Sequence, residues 1–441
     1  MYTIYSKRVI FFFSLFVVFF KVSGQELSRQ ALIDFSIRTV PGSANPVIVN
    51  EINEQSAFYK AGLRKDDQIL AINNLSISDV VTYYKGIRRL RGNKQSVVRV
   101  MRGNDTHEIN CLPLARPLEE IKGCETTYDK ATTPNGYDVR MIITKPLKST
   151  GKKPVLFFVQ WLSCDQVELD RNNMDGWAFL IEELASKGDY ILVRTEKPGL
   201  GDSNGPDCFE CDLQQDIDAY KAGFKKMLSY DFVDKNNIIL VGGSIGGALV
   251  PIVAENQNVK AIISTGGFST TWYEHILDFE RTRLFFSGTE AEKIDPLVKK
   301  FTSFYYQYLI EKKKPTEIIK ADTSFKSIWY QSGDMQFGRP AKYYQQLQDL
   351  NMSYYWNKVN CPVLVLYGEY DWIMSRAEQE NIIQFLNKKH PGLAELKVIP
   401  GMNHHFSKYS SPAEAFDEPF IKYEPAGYKE MMKWLETKIT R

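Results

Sequence analysis

Histidine is scarce in this chain. Five occur in 441 residues: His107, His275, His390, His404 and His405. Chemistry that needs an imidazole therefore has few places to find one. Cysteine is nearly as scarce, with six: Cys111, Cys124, Cys164, Cys208, Cys211 and Cys361. A four-cysteine zinc site needs two close pairs. Cys208-Phe-Glu-Cys211 is one, and there is no second. A thioredoxin-like redox pair would lie in a different surrounding pattern, so the cysteines read as material for one or two structural bridges. No block of one charge stands out. Lys plus Arg number 55 against 53 Asp plus Glu. The two signs are interleaved, which argues against a nucleic-acid partner. Low-complexity tracts and fixed-period repeats are missing as well. Past the N-terminus no apolar run approaches the roughly 20 residues that span a bilayer, so no integral membrane segment is expected in the mature chain.

What is present is the mix of an ordinary globular protein, 44% hydrophobic and 24% charged, with enough apolar material for a large core. The length suits two or three domains. The N-terminus reads as an export signal over residues 1–24. Lys7 and Arg8 form its positive region, and Val9 to Phe20 is apolar apart from Ser14. Val22-Ser23-Gly24 supplies small residues for cleavage near Gly24, before Gln25. The alternative, a membrane anchor, suits the short run less well. No cysteine at that point could carry a lipid. The expectation is a periplasmic or secreted protein, in which disulfides can form.

From about Gln30 to Arg116 the segments are short and β-rich. Ser56 to Asn73 reads as one helical turn, a stop at Gly62, a polar turn and a strand. Asp79 to Arg91 follows as a helix. Val97–Met101 and Thr106–Asn110 make a hairpin around Arg102-Gly103-Asn104-Asp105. The run SAFYKAGLRKDDQILAINNL resembles a PDZ domain of the bacterial type, placed at residues 28–114. The resemblance implies binding of an extended peptide by strand addition. A PDZ-like module that only packs on its neighbour is the competing view.

Pro113 to Glu119 reads as a linker. Beyond it, over residues 120–441, apolar strand-like runs alternate with helical ones, the signature of an α/β fold with a mostly parallel sheet. The strands are expected at Tyr137–Ile143, Val155–Val159, Tyr190–Arg194, Asn237–Val241, Val259–Ser264, Val363–Tyr367 and Leu396–Ile399, with a terminal helix at Pro425–Ile439. Between about 270 and 355 the alternation lapses. Leu297–Glu311 has helical spacing there, and the region reads as an inserted helical cap. Trp272, Tyr273, Trp329 and Tyr330 are its prominent aromatics.

Gly242-Gly243-Ser244-Ile245-Gly246 matches G-x-S-x-G directly after the strand Ile238–Val241 and before the helical run Ala248-Leu249-Val250. Strand, sharp turn and helix are what a nucleophile elbow requires. A serine is a poor nucleophile until a base, itself held by a carboxylate, takes its proton. Downstream, the strand Pro362–Tyr367 ends in Gly368-Glu369-Tyr370-Asp371. Asp371 is the favoured carboxylate, with Glu369 the alternative. His404 lies in the loop Pro400-Gly401-Met402-Asn403-His404-His405-Phe406 after the last strand and is the favoured base, with His405 its competitor. His107 falls in the PDZ-like part, and His390 in a helix-ending turn. His275 falls in the cap, where a structural or substrate-contacting role suits it.

Ser, Asp and His in this order resemble the α/β-hydrolase fold. So does Thr195-Glu196-Lys197-Pro198-Gly199-Leu200-Gly201-Asp202-Ser203-Asn204-Gly205-Pro206, which is similar to segments in esterases, acyl hydrolases and oligopeptidases. The resemblance covers about residues 125–441. It implies that the backbone N–H of Ile245, with that of Leu162 or Trp161, forms an oxyanion hole, although the usual His-Gly is replaced by Gln160-Trp161-Leu162-Ser163-Cys164. It also implies a Cys164–Cys208 bridge. The expected activity is hydrolysis of a carboxylic ester of a small-molecule or peptide acyl substrate, without metal or organic cofactor. A serine peptidase, a transacylase and a non-catalytic peptide-binding protein are the alternatives.

Overall fold

The computed structural model describes residues 27–40, 47–148, 150–417 and 422–439. The expected signal over 1–24, with its cleavage point near Gly24, lies outside the described residues.

The front unit is an antiparallel sheet of six strands. They are β1 (Phe35–Thr39), β2 (Val47–Ile52), β3 (Gln68–Ile72), β4 (Leu75–Ser76), β5 (Ser96–Arg102) and β6 (Asp105–Cys111). Their order is β1-β2-β3-β5-β6, with β4 beside β3. Helix α1 (Ala57–Ala61) is capped by Ser56 and stopped at Gly62, whose φ of 114° suits glycine. Helix α2 (Val80–Arg88) starts in a capping box between Asp79 and Thr82. Phe58, Leu63, Ile69 and Val100 close the core beneath them.

The second unit is an eight-stranded sheet. It uses β7 (Cys124–Thr132), β8 (Asp138–Pro146), β9 (Lys153–Val159), β10 (Ile191–Thr195), β11 (Val233–Gly243), β12 (Ala261–Thr265), β15 (Val363–Gly368) and β16 (Ala394–Ile399). The order is β16-β15-β12-β11-β9-β10-β8-β7, parallel from β16 to β10 and antiparallel beyond. Side chains alternate across it. Val155, Phe157 and Val159 pack with α4 (Leu213–Met227) and α5 (Ile245–Ala254). Leu156 and Phe158 pack with α3 (Gly176–Ser186) and α13 (Ala426–Glu436). Strands buried on both faces need such continuous apolar runs, which is why these were readable from the sequence.

Two expectations change. Strand β7 was not foreseen. It is an edge strand with half-exposed side chains, so it carries little apolar signal. The stretch Pro113–Glu119 is more than a linker, because Glu119 enters the second unit's core. Both its oxygens accept from Arg194, at 2.5 and 2.8 Å, with both side chains buried. The Leu169 N–H adds a third bond.

Between β12 and β15 runs the expected insertion. It holds α6 (Trp272–Phe286), α7 (Ala291–Tyr305) with a π-turn at Tyr306–Ile310, α8 (Pro315–Ala321), a two-residue hairpin of β13 (Met335–Gln336) and β14 (Arg339–Pro340), α9 (Ala341–Asp349) and α10 (Met352–Lys358). The helices α11 (Arg376–Lys389) and α12 (Pro412–Asp417) follow β15 and β16. Of the four cap aromatics singled out above, only Trp272 reaches the cavity described below. Tyr273 bonds the Thr302 carbonyl, Trp329 bonds the Gly333 carbonyl and packs on Phe304, and Tyr330 bonds Glu280. Those three hold the cap together.

Asp202 ties the units to each other. Its carboxylate, fully buried, accepts from Arg29 at 2.9 Å, from the Gln30 N–H at 2.7 Å and from Arg140 Nε at 3.0 Å. Arg29 also reaches Glu168 at 2.5 Å. From α2, Arg88 donates to the Cys164 carbonyl at 3.1 Å, pairs with Asp207 at 3.3 Å and lies over Phe209. Lys85 pairs with Glu210. Removing one member of a buried network strands the others. Asp202→Ala is therefore expected to lower the unfolding free energy in urea by about 3–5 kcal/mol. Breaking the exposed pair Arg38–Asp66 by Arg38→Ala should cost less than about 1 kcal/mol.

Candidate active site

Strand β11 ends at Gly243 and α5 begins at Ile245, which leaves Ser244 alone to make the turn. It does so at φ 57° and ψ −127°, a conformation that L-residues rarely adopt. The neighbours must be small. A Cβ on Gly242 would lie 2.4 Å from the Gly246 carbonyl oxygen, and one on Gly246 would lie 2.1 Å from that of Val159. The turn is pinned by the Ser244 N–H on the Thr265 carbonyl at 2.8 Å. The serine side chain thus stands at the C-terminal edge of the sheet, where ligands bind in open α/β sheets.

His404 sits in the loop after β16. Its Nδ1 is 2.7 Å from Asp371 Oδ2, both side chains being buried. The other Asp371 oxygen accepts the N–H groups of Ile373 and Met374, each at 2.9 Å. With that carboxylate beside Nδ1, Nε2 is left unengaged by Asp371. Glu369, the alternative, accepts instead from the Gly401 N–H at 2.9 Å. It fixes the turn that leads into the histidine loop. His405, the competitor, has its ring at nearly a right angle to that of His404. Enclosure by the cavity walls, then His404 beside it, pull its pKa down to about 4, so it is neutral at pH 7. Ser244, Ile245, Trp161, Leu162, His404 and His405 all line one cavity of about 320 Å³.

Two buried cations at this site, Lys197 and Arg339, went unread in the sequence, whereas the Cys164–Cys208 bridge is where the resemblance implied it. The first is Lys197. Its buried ammonium donates to three successive carbonyls, Trp161 at 2.6 Å, Leu162 at 3.2 Å and Ser163 at 2.8 Å. Burial pulls its pKa down to about 7, while the ring of carbonyls favours the charged form. This lysine holds the loop that lacks the usual glycine. A lysine amid Pro and Gly gives no sequence signal of burial. The second is the buried Arg339 beside the bridge that the resemblance implied. Cys164 and Cys208 are bonded, with Cα atoms 5.7 Å apart. Cys111, Cys124, Cys211 and Cys361 are free. Arg339, fully buried, donates to the Cys208 carbonyl at 2.7 Å and pairs with Asp216 beside the bridge. Among the described residues no group of three His, Cys, Asp or Glu side chains is placed to hold a metal. No described helix is long and apolar enough to cross a membrane.

Compared with known families, residues 153–409 match the family described as alpha/beta hydrolase fold, and residues 26–112 match the PDZ domain. Curated protein sequences give no match. Among solved structures, an esterase of Pyrococcus furiosus is 14% identical with a TM-score of 0.44, over 72% of this chain and 92% of its own. An acylaminoacyl peptidase of Pyrococcus horikoshii is 14% identical with a TM-score of 0.48, over 94% of this chain and 57% of its own. Est1E of Butyrivibrio proteoclasticus, with ferulic acid bound, is 18% identical with a TM-score of 0.44, over 70% and 99%. These are likenesses of fold.

Peptide mapping without reductant should return Cys164 and Cys208 as one linked pair, with the other four cysteines alkylated once the chain is unfolded. A map in which Cys208 is joined to Cys211 would contradict this arrangement.

Proposed function

Since the chain belongs to the α/β-hydrolase family and carries an N-terminal PDZ domain, we propose that it is a serine hydrolase that cleaves carboxylic esters through Ser244, His404 and Asp371. One observation carries the reading. A strained serine at a helix N-terminus shares a cavity with an imidazole that a buried carboxylate holds by its far nitrogen.

The chemistry follows from those positions. His404 Nε2 takes the proton of Ser244 as Oγ attacks the ester carbonyl. Asp371 keeps the imidazole in the tautomer that can accept, then stabilises the imidazolium. The oxygen of the tetrahedral intermediate is negative and needs donors already in place. The Ile245 N–H is the first of α5 and has no partner within the helix. The Leu162 N–H is the second donor, on the loop that Lys197 clamps. His404 then returns the proton to the leaving alkoxide. Water, activated by the same histidine, hydrolyses the acyl-enzyme.

The cavity lining supports a small ester. It is largely aromatic and aliphatic, with Trp272, Phe279, Phe337 and Trp372 on or beside the cap, and its size is at the low end for small-ligand sites. A serine peptidase is the second reading, favoured by the PDZ domain in the same chain. Strand β1 lies at an edge of that domain's sheet, where an extended peptide could add. We place the protein in the periplasm or outside the cell, a reading in keeping with the Cys164–Cys208 bridge.

A fluorophosphonate should label wild type at Ser244 and leave Ser244→Ala unlabelled, as read by intact mass. His404→Gln and Asp371→Asn should each lower ester turnover by roughly 10³–10⁴-fold. Lack of labelling in wild type, beside a control hydrolase that labels, would sink the proposal. Lys197→Met should lower kcat by roughly 10–100-fold, with little change in KM, because it loosens an oxyanion donor. An unaltered kcat would show that the clamp does not matter.

A further inference from the structure

A second histidine–carboxylate pair faces the same cavity, and the mechanism above does not use it. His275, in the first turns of α6, has its Nδ1 2.9 Å from Glu378 Oε1 on α11. Both side chains are almost fully buried, at 3% and 6% exposure. Glu378 is itself well held. The Ser375 N–H bonds its other oxygen at 2.8 Å, and the Thr270 hydroxyl lies 3.3 Å from the first. Burial pushes the Glu378 pKa up, but His275 and the Ser375 donors bring it below the usual carboxylate range, so it is ionised at neutral pH. The imidazole is clamped as firmly. Phe268 stacks on it at 5.2 Å and 11°, and Trp272 lies 4.8 Å away.

A carboxylate beside Nδ1 selects the tautomer with its proton there. Nε2 is then a hydrogen-bond acceptor not engaged by Glu378, on a side chain that lines the cavity. The same cavity is lined by the rings of Trp272, Phe279, Phe337 and Trp372, of which Trp272 and Phe279 lie beside His275, and elsewhere by the carboxylates of Asp165 and Asp175. Phe279 and Trp372 stack on each other at 5.5 Å. Such walls suit a flat ring. An acceptor on the same wall suits one that carries a hydroxyl, since a buried acceptor is costly unless a donor meets it.

We propose that His275, positioned by Glu378, is a specificity residue whose Nε2 accepts a hydrogen bond from a phenolic hydroxyl, so that the preferred substrates are esters bearing a hydroxylated aromatic ring. This rests on the serine-hydrolase reading and narrows it. Glu378 is the positioning residue, and His404 remains the base for Ser244.

The test uses matched esters on the full chain. Methyl 3-(4-hydroxyphenyl)propanoate is compared with methyl 3-phenylpropanoate and with the 4-methoxy ester, which has the oxygen but no donor. On the alcohol side, 2-(4-hydroxyphenyl)ethyl acetate is compared with 2-phenylethyl acetate. 4-Nitrophenyl acetate, which carries no hydroxyl donor, reports the basal chemistry. In at least one set wild type should favour the phenol by about tenfold in kcat/KM, the scale of one net hydrogen bond. His275→Phe should abolish that preference and keep 4-nitrophenyl acetate turnover. Glu378→Gln should weaken the preference and His275→Gln should restore part of it. Equal rates within both sets in wild type overturn the proposal. So does a preference that survives His275→Phe. Loss of 4-nitrophenyl acetate turnover in both His275 variants would make the residue part of the fold or the chemistry and would also overturn it. A wild type that labels at Ser244 yet cleaves none of these esters overturns the substrate class alone. Failure to label removes the hydrolase reading beneath it.

Discussion

The backbone at Ser244 is the constraint on which the site depends. A non-glycine residue at φ 57° costs on the order of 1–3 kcal/mol and persists only where its surroundings over-determine it. Here they do. The Gly246 position of α5 is pressed against the Val159 carbonyl of β9. Gly247 faces β12, where an added Cβ would lie 2.9 Å from Ser264 Oγ, and the Ser264 hydroxyl bonds the Gly247 carbonyl at 2.9 Å. Helix, two strands and turn therefore fix one another. Ser244 so placed lines the same cavity as His404, on the loop after β16, and Leu162, on the loop after β9.

That dependence explains what the sequence made legible. The buried strands announce themselves because both faces are apolar, and β9, β11, β12 and β15 lie close to where their runs of Val, Ile, Leu and Phe place them. The elbow is legible because only small residues fit it. Asp371 and His404 are legible by their place after strands, although Glu369 and His405 were near enough to compete. Geometry separates them: Asp371 lies against His404 while Glu369 holds the Gly401 N–H.

The rest was hidden for physical reasons. Burial of a charge leaves no local trace when its partner is remote in the chain. Lys197 meets carbonyls about 35 residues away, Glu119 meets Arg194 across 75, and Asp202 meets Arg29 across 173. The pair His275–Glu378 spans 103 residues. Edge strand β7 was missed because half-exposure removes the apolar pattern. The cap aromatics misled in a different way. Tyr and Trp satisfy both packing and hydrogen bonding, so their abundance alone does not say which face the cavity.

The seam at Asp202 has a bearing on descent. Its partners come from both sides: Arg29 and the Gln30 N–H from the chain ahead of the front sheet, Arg140 from β8. Elsewhere on the same seam, Arg88 of α2 grips the carbonyl of Cys164, two residues from Leu162. The two modules are thus not beads that recombination could exchange at will. A foreign front module spliced before residue 120 would leave Asp202 and Asp207 facing no cation from it, unless it carried arginines at the same places. Lineages that keep this pairing of modules should therefore inherit both sides of the seam as a unit, and a change on one side should be followed by a matching change on the other.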